Sequence, residues 1–199
     1  MLIRKFKDWN FERRMANQRK KKKYADCDCW GMHYWLSDTF ADMFITLRDM
    51  KHGAPELEFE EFDNLPKEWL DKELALYKEK QIQNGYEYKV DIFAKWYIIL
   101  TRISYCLKQA NEELTEIPNE YDEEYTQAVW GNKSFMDHMI PCKFDSKGKP
   151  ELYELKTGEP SKELKEKYFN RELEIFNYRD KMKDEAFDLI KKYFWNLWD

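Results

Sequence analysis

Residues Lys89 to Leu114 read KVDIFAKWYIILTRISYCLKQANEEL. Within this stretch Phe93, Trp96, Leu100, Ile103, Leu107, Ala110 and Leu114 recur at alternating spacings of three and four. That rhythm is the apolar stripe of an amphipathic helix, so the spacing predicts a helix over 89–114. It is the cleanest periodicity in the chain, and Pro118 follows it.

The same rhythm appears upstream. Met32, Leu36, Phe40, Met43, Leu47 and Met50 predict a helix over 30–51. Asp28 suits its N-cap, because a short acceptor can take the free amides of a first turn. Gly53 and Pro55 suit its stop. A further helix opens at Asn64-Leu65-Pro66, with Asn64 as cap, and carries Leu70, Leu74 and Tyr77 to an end at Asn84-Gly85. The last helix is expected from Ser161 to about 197. Phe169, Leu173 and Phe176 form one part of its stripe, and Phe187, Ile190, Phe194 and Leu197 the other. Asp180 and Lys183 interrupt that register, so the helix must bend, shift its buried face or be exposed midway.

Residues 116–160 differ. Gly131, Pro141, Gly148, Pro150, Gly158 and Pro160 all fall there, and 142–156 reads as a small β-hairpin around a Gly-containing turn. Residues 1–23 read as a basic N-terminal arm or short helix. The expected architecture is therefore mainly α: a bundle of four to five helices in a single domain over 24–199, with an inserted excursion at 116–160.

Composition agrees with helices. Gly and Pro number only six each among 199 residues, and each disfavours a helix interior. The formal net charge is -5, which does not suit a duplex-binding surface. The one basic run, Arg19 to Lys23, reads first as a solvated arm. Nucleic-acid contact is expected at most through it. No run approaches the roughly 18 apolar residues of a transmembrane helix, and the N-terminus lacks the apolar centre of a signal peptide. Cys27, Cys29, Cys106 and Cys142 are expected to be reduced, as in a cytosolic protein.

Catalytic and metal chemistry find little support. Cys27, Cys29 and His33 lie close in sequence, but nothing nearby completes the four ligands of zinc. Asp38 and Asp42 share a helix face without the Glu-x-x-His pattern of a di-metal bundle. There is no nucleophile elbow and no Gly-rich phosphate loop. No catalytic residue, metal ligand or cofactor is expected.

The aromatic residues are the stronger signal. The chain has 8 Trp, 13 Tyr and 13 Phe. Most such rings build a core, but some can line a pocket and stack on a nucleobase. The expected ligand-binding set is Trp30, His33, Tyr34, Trp35, Arg48, Lys51 and His52. The rings would stack, and Arg48, Lys51, His52 or Arg102 would meet phosphates. The two ends of the 30–51 helix lie about 20–30 Å apart by helix rise. They therefore belong to separate sites, or a second chain or another helix completes each.

Three blocks together resemble a widespread protein family of tailed bacteriophages. They are Asp26-Cys27-Asp28-Cys29-Trp30 with Tyr34 and Leu36, then Lys51-His52-Gly53-Ala54-Pro55, then Lys192-Tyr193-Phe194-Trp195-Asn196-Leu197-Trp198-Asp199. Ala54 stands where the family has Tyr, and His33 where it often has Asp. The resemblance implies a phage origin and a helical fold, and no particular chemistry; with cysteines expected to be reduced, the expected location is the host cytoplasm.

The expectation that follows is a non-enzymatic, homo-oligomeric phage protein. It would sequester a small nucleotide-derived ligand such as a host immune signal. The alternative is an interaction or structural protein whose aromatic helix faces bury a partner or a second copy. An enzyme acting on nucleotides through scattered carboxylates comes third.

Overall fold

The computed structural model describes residues 2–50, 53–56 and 58–197, with side chains from residue 10 onward. Among them are seven α-helices and one two-stranded sheet. In chain order these are α1 (Leu2–Lys22), α2 (Asp26–Trp30), α3 (Met32–Met50), α4 (Lys67–Gln83), α5 (Ile92–Ala110), α6 (Asp122–Trp130), β1 (Met139–Phe144), β2 (Pro150–Leu155) and α7 (Lys162–Tyr193). Short 3-10 turns cover Glu60–Asn64, Phe135–His138 and Phe194–Asn196. The protein is mainly α with a small hairpin, as the periodicities predict. The chain divides into two compact units, Met1–Thr115 with Arg179–Asp199, and Glu116–Tyr178.

In the first unit α5 is the central element. Asp91 starts it, its Oδ1 accepting from the backbone N–H groups of Phe93 and Ala94 at 3.0 Å each. Asn111 ends it, its Oδ1 accepting from Glu113 N at 2.9 Å. These two caps trim the expected 89–114 helix to 92–110. Burial is not confined to one stripe: Ile98, Ile99 and Cys106, which lie off the predicted face, are buried as completely as Leu100 and Ile103. A helix enclosed on most sides is apolar all round. Phe93 and Leu114, the ends of the predicted stripe, are exposed.

α3 runs antiparallel to α5. Asn111 Nδ2 donates to Ser37 Oγ at 3.1 Å near one end, and Arg48 Nη1 donates to Thr101 Oγ1 at 3.2 Å near the other. The buried residues of α3 are Ala41 and Phe44. The predicted stripe sits one position round the helix, about 100° away, and Met32, Met43 and Met50 are exposed. Small side chains at Ser37 and Ala41 let the two backbones approach, and hydropathy alone does not reveal them.

Two further boundaries differ from expectation. Gly31 separates α2 from α3, so 30–51 is not one helix. Asp28 is not an N-cap; it lies inside α2, where its carboxylate accepts from Ala25 N at 2.7 Å and pairs with Arg19 of α1. Asn64 likewise caps nothing: it closes the 3-10 turn, donating to Glu60 O at 3.1 Å, and α4 begins after Pro66.

The C-terminal part of α7 buries Met182, Ala186, Leu189 and Tyr193 in the first unit. The predicted Phe187 and Phe194 are exposed. Tyr193 packs edge-on to Trp96 and tilted against Phe59, at ring separations of 5.4 and 5.6 Å. Trp198 and Asp199, part of the family-like ending, lie outside the described residues.

The second unit holds α6, the hairpin and the N-terminal part of α7. Tyr125 and Tyr168 stack at 4.0 Å. β1 and β2 pair antiparallel, with Met139 opposite Leu155 and an irregularity between Pro141 and Lys143. Asp145 Oδ1 organises the turn by accepting from Lys147 N and Lys149 N. The hairpin starts three residues before the predicted 142, and a helix, α6, stands within the stretch read as an excursion. Gly158 passes so close to α6 that an added Cβ would lie 2.2 Å from Ala128 O. Here too the predicted stripe of α7 misses: Leu164 and Ile175 are buried, while Phe169, Leu173 and Phe176 are exposed. No helix among the described residues is long and apolar enough to cross a membrane.

Candidate functional site

The first unit carries a cleft of about 450 Å³ between the C-terminal ends of α3 and α4 and the N-terminal half of α5. That volume falls in the range of small-molecule sites. α3 contributes Leu47 and Arg48; α4 contributes Tyr77, Lys80 and Gln81; α5 contributes Phe93, Trp96, Tyr97 and Leu100. Gly53 and the segment joining α4 to α5, with Tyr86, Glu87, Lys89 and Asp91, complete the wall.

Helix periodicity explains the assembly. Trp96, Leu100 and Phe93 are one apolar ridge of α5, and Tyr97 stands beside it. Tyr77 is the buried residue of α4 and places its ring 4.8 Å from that of Tyr97. Phe93, too exposed to serve the core, lies at the mouth.

Two cations meet on one ring. The Arg48 guanidinium carbon is 4.6 Å from the Tyr97 ring centre, and Lys80 Nζ is 5.3 Å from it. A ring face attracts cations through its quadrupole. Thr101 fixes Arg48 from α5, as described above. Asp49 joins the two cations, accepting from Arg48 Nε at 3.0 Å and from Lys80 Nζ at 2.7 Å. Burial pushes the Asp49 carboxyl up, but hydrogen bonds and charge from Arg48 and Lys80 outweigh it and hold it below the usual carboxylate range. Burial also raises the Tyr77 hydroxyl above its ordinary value. Lys89 pairs with Glu87 at 2.9 Å, and Asp91 is spent on capping α5.

Of the residues expected to bind ligand, Arg48 alone lines this cleft among those described. Trp30 is 92% exposed at the end of α2. His33 and Tyr34 lie at the start of α3 with ring centres 3.9 Å apart, and the Tyr34 hydroxyl donates to Glu112 Oε2 at 2.7 Å. That hydrogen bond, with some burial, raises the Tyr34 hydroxyl above its ordinary value. Trp35 is half-buried nearby. By helix rise, Tyr34 and Arg48 are about 21 Å apart, so the two ends of α3 do not share one ligand. Lys51 and His52 lie outside the described residues. Arg102, the other cation considered for phosphates, is buried and donates to Glu185 at 2.6 and 2.8 Å while facing Trp69.

The expected set does not include Tyr97, Tyr77, Lys80 or Lys89. Tyr77 and Tyr97 read as helix-packing rings, and nothing local distinguishes Lys80 from the other lysines. Among the described residues no group of three or more His, Cys, Asp or Glu is placed to hold a metal ion. The four cysteines are free. Comparisons with models of protein families, with curated proteins and with solved structures found no match to this chain.

Proposed function

We propose that this chain binds a small nucleotide-derived ligand in the cleft between α3, α4 and α5, and binds it without turning it over. The observation that carries the reading is the pairing of Arg48 and Lys80 on the Tyr97 ring. A nucleotide joins a planar base to an anionic phosphate. Rings such as Tyr86 and Phe93 suit the base, since every base has a face that stacks. Arg48 and Lys80 suit the phosphate through charge-assisted hydrogen bonds. The resemblance to a tailed-phage family supplies the setting: a phage protein in the host cytoplasm that sequesters a nucleotide-derived immune signal.

A thermal-shift screen against nucleotides and cyclic nucleotide signals tests this. A ligand that binds only the folded state raises the melting temperature by mass action. The expected result is a rise that disappears in Arg48→Ala and Tyr97→Leu, with the ligand recovered chemically unchanged. No shift with any nucleotide would overturn the reading.

A second reading draws on a different observation. Phe169, Leu173 and Phe176 are all exposed on one face of α7, and such a stripe suits association with a second copy of the chain. Light scattering on the parent and on Phe169→Glu/Leu173→Glu distinguishes a dimer that the changes dissociate from a monomer that they leave alone.

A further inference from the structure

The chain's charge is unevenly placed. Ten of its 34 Lys and Arg fall in residues 1–23, opposed there only by Asp8 and Glu12. The formal charge is therefore +8 over 1–23 and -13 over 24–199, which together make the -5 of the whole chain. Such asymmetry marks a basic arm for a polyanion, which the net value conceals. The contacts of α1 show which of these cations are already committed. Met15 is buried, and one turn on, Arg19 Nε donates to Asp28 Oδ2 at 3.0 Å. Beside them Gln18 Nε2 and Lys22 Nζ reach Asp26, at 2.6 and 3.4 Å. Arg19 and Lys22, two members of the basic run, thus hold α1 to α2.

The other side of α1 is open. Asn10, Arg13, Asn17, Lys20 and Lys21 stand about 120–160° round the helix from Met15, and Arg14 about 100°. All six are exposed, and all but Lys20 line one continuous shallow surface. Glu12, the one acid among residues 10–23, falls about 60° from Met15, and Phe11 about 40°, so both belong to the docked side. We propose that this open face of α1 binds the major groove of double-stranded DNA. Four cations with no acid among them suit a polyphosphate, and duplex DNA presents one negative charge per roughly 1.7 Å of its axis. The face carries no large apolar side chain, which a helix lying in a lipid surface needs. It carries no ring on which an unpaired base would stack. Its Asn and Arg are the side chains that pair with the edges of adenine and guanine in the major groove. A helix about 10–12 Å across fits the B-form groove, about 12 Å wide, whereas the A-form groove of RNA is closed to side chains. The acidic remainder of the chain repels phosphate and restricts the contact to α1, a repulsion screened beyond about 8 Å at physiological salt. This surface shares no residue with the cleft of α3, α4 and α5, and it stands whether or not that cleft takes a nucleotide.

The test is fluorescence anisotropy on the full chain with a labelled, mixed-sequence DNA duplex of about two helical turns. The RNA duplex and the DNA single strand of the same sequence are measured beside it, as is sedimentation with vesicles of phosphatidylserine and phosphatidylcholine. The parent should bind the DNA duplex most tightly and protect guanine N7, a major-groove atom, from methylation by dimethyl sulfate. Arg13, Arg14, Lys20 and Lys21 would neutralise up to four phosphates, so affinity should fall roughly 150-fold between about 50 and 200 mM salt. Lys20→Glu/Lys21→Glu should weaken binding about tenfold or more and flatten the logarithmic salt slope by about 1.8. Arg13→Glu/Arg14→Glu should do the same, and Lys20→Gln/Lys21→Gln should act in the same direction without reversing charge. Circular dichroism of each variant checks that these exposed changes leave the helices in place. Absence of duplex binding at low salt, or binding that the charge reversals leave intact, would overturn the proposal. So would equal or tighter binding to the single strand or the RNA duplex, binding without protection of N7, or binding to the vesicles in place of DNA.

Discussion

The hydroxyl of Tyr193 donates to Glu61 Oε2 at 2.7 Å, joining the end of α7 to the 3-10 turn that precedes α4. Tyr193 is fully buried, and Lys192 reaches the same carboxylate from the adjacent position. The ring fills the space between Trp96 and Phe59, and the hydroxyl ties the turn down. Packing and hydrogen bonding thus act through one side chain.

The two contributions separate by substitution. Tyr193→Phe keeps the ring and should cost about 1.5–3 kcal/mol, the range for a hydrogen bond to a charged group. Tyr193→Ala also leaves a cavity and should cost about 3–5 kcal/mol. Urea unfolding measures both. Equal costs would show that the hydroxyl, not the ring, carries the contribution.

Leu100 and Met43 test the assignment of buried faces. Leu100 is 1% exposed and Met43 59% exposed, although both belong to clean apolar stripes. Leu100→Ala should destabilise by about 2–5 kcal/mol. Met43→Ala should change stability by less than about 0.5 kcal/mol. A large cost at Met43 would place the predicted stripe of α3 against a partner.

These two residues also show what the sequence reveals. α5 is legible because it is apolar on several sides, so any stripe drawn along it meets the core. α3 is legible as a helix but not as a surface. Ser37, Ala41 and Phe44 face α5, and two of those three are small, while its exposed methionines imitate a core. The same limit applies to the cleft. Arg48 could be picked out as a cation at the end of a helix. Its partners Lys80 and Tyr97 come from two other helices, and only the packing of α3, α4 and α5 brings them within reach of one ring.

Asp28 makes a prediction about pH. The hydrogen bond from Arg19, followed by that from Ala25 N, lowers its carboxyl from 3.8 to about 2. A folded-state value below the unfolded one stabilises at pH above the unfolded value and is lost as pH falls towards the folded value. The Arg19–Asp28 contribution should therefore be constant above about pH 5 and fade between about pH 4 and 2. Comparing urea midpoints of the parent and Asp28→Asn across that window measures it. A gap between them that widens on acidification would contradict the assignment.

Gly158 offers a steric test in the second unit. An alanine there would press its Cβ against Ala128 O, a backbone atom that cannot rotate away. Gly158→Ala should cost about 1–3 kcal/mol, the range for overpacking. Gly53→Ala, with nothing within 4 Å of the added Cβ, serves as the control and should be nearly neutral. Thermal unfolding of the two variants decides, and a silent Gly158→Ala would place the 158 segment farther from α6.

The central claim is that Tyr97, with Arg48 and Lys80 on its ring, forms the binding cleft, and that the far end of α3 does not. Calorimetry of nucleotide binding to the parent, Tyr97→Ala and Tyr34→Ala tests it most directly. Tyr97→Ala removes the ring that holds both cations, a contribution of about 1–2 kcal/mol, so it should bind roughly tenfold more weakly, while Tyr34→Ala binds like the parent. Binding that survives Tyr97→Ala and fails in Tyr34→Ala would move the site to the other end of α3 and contradict the account.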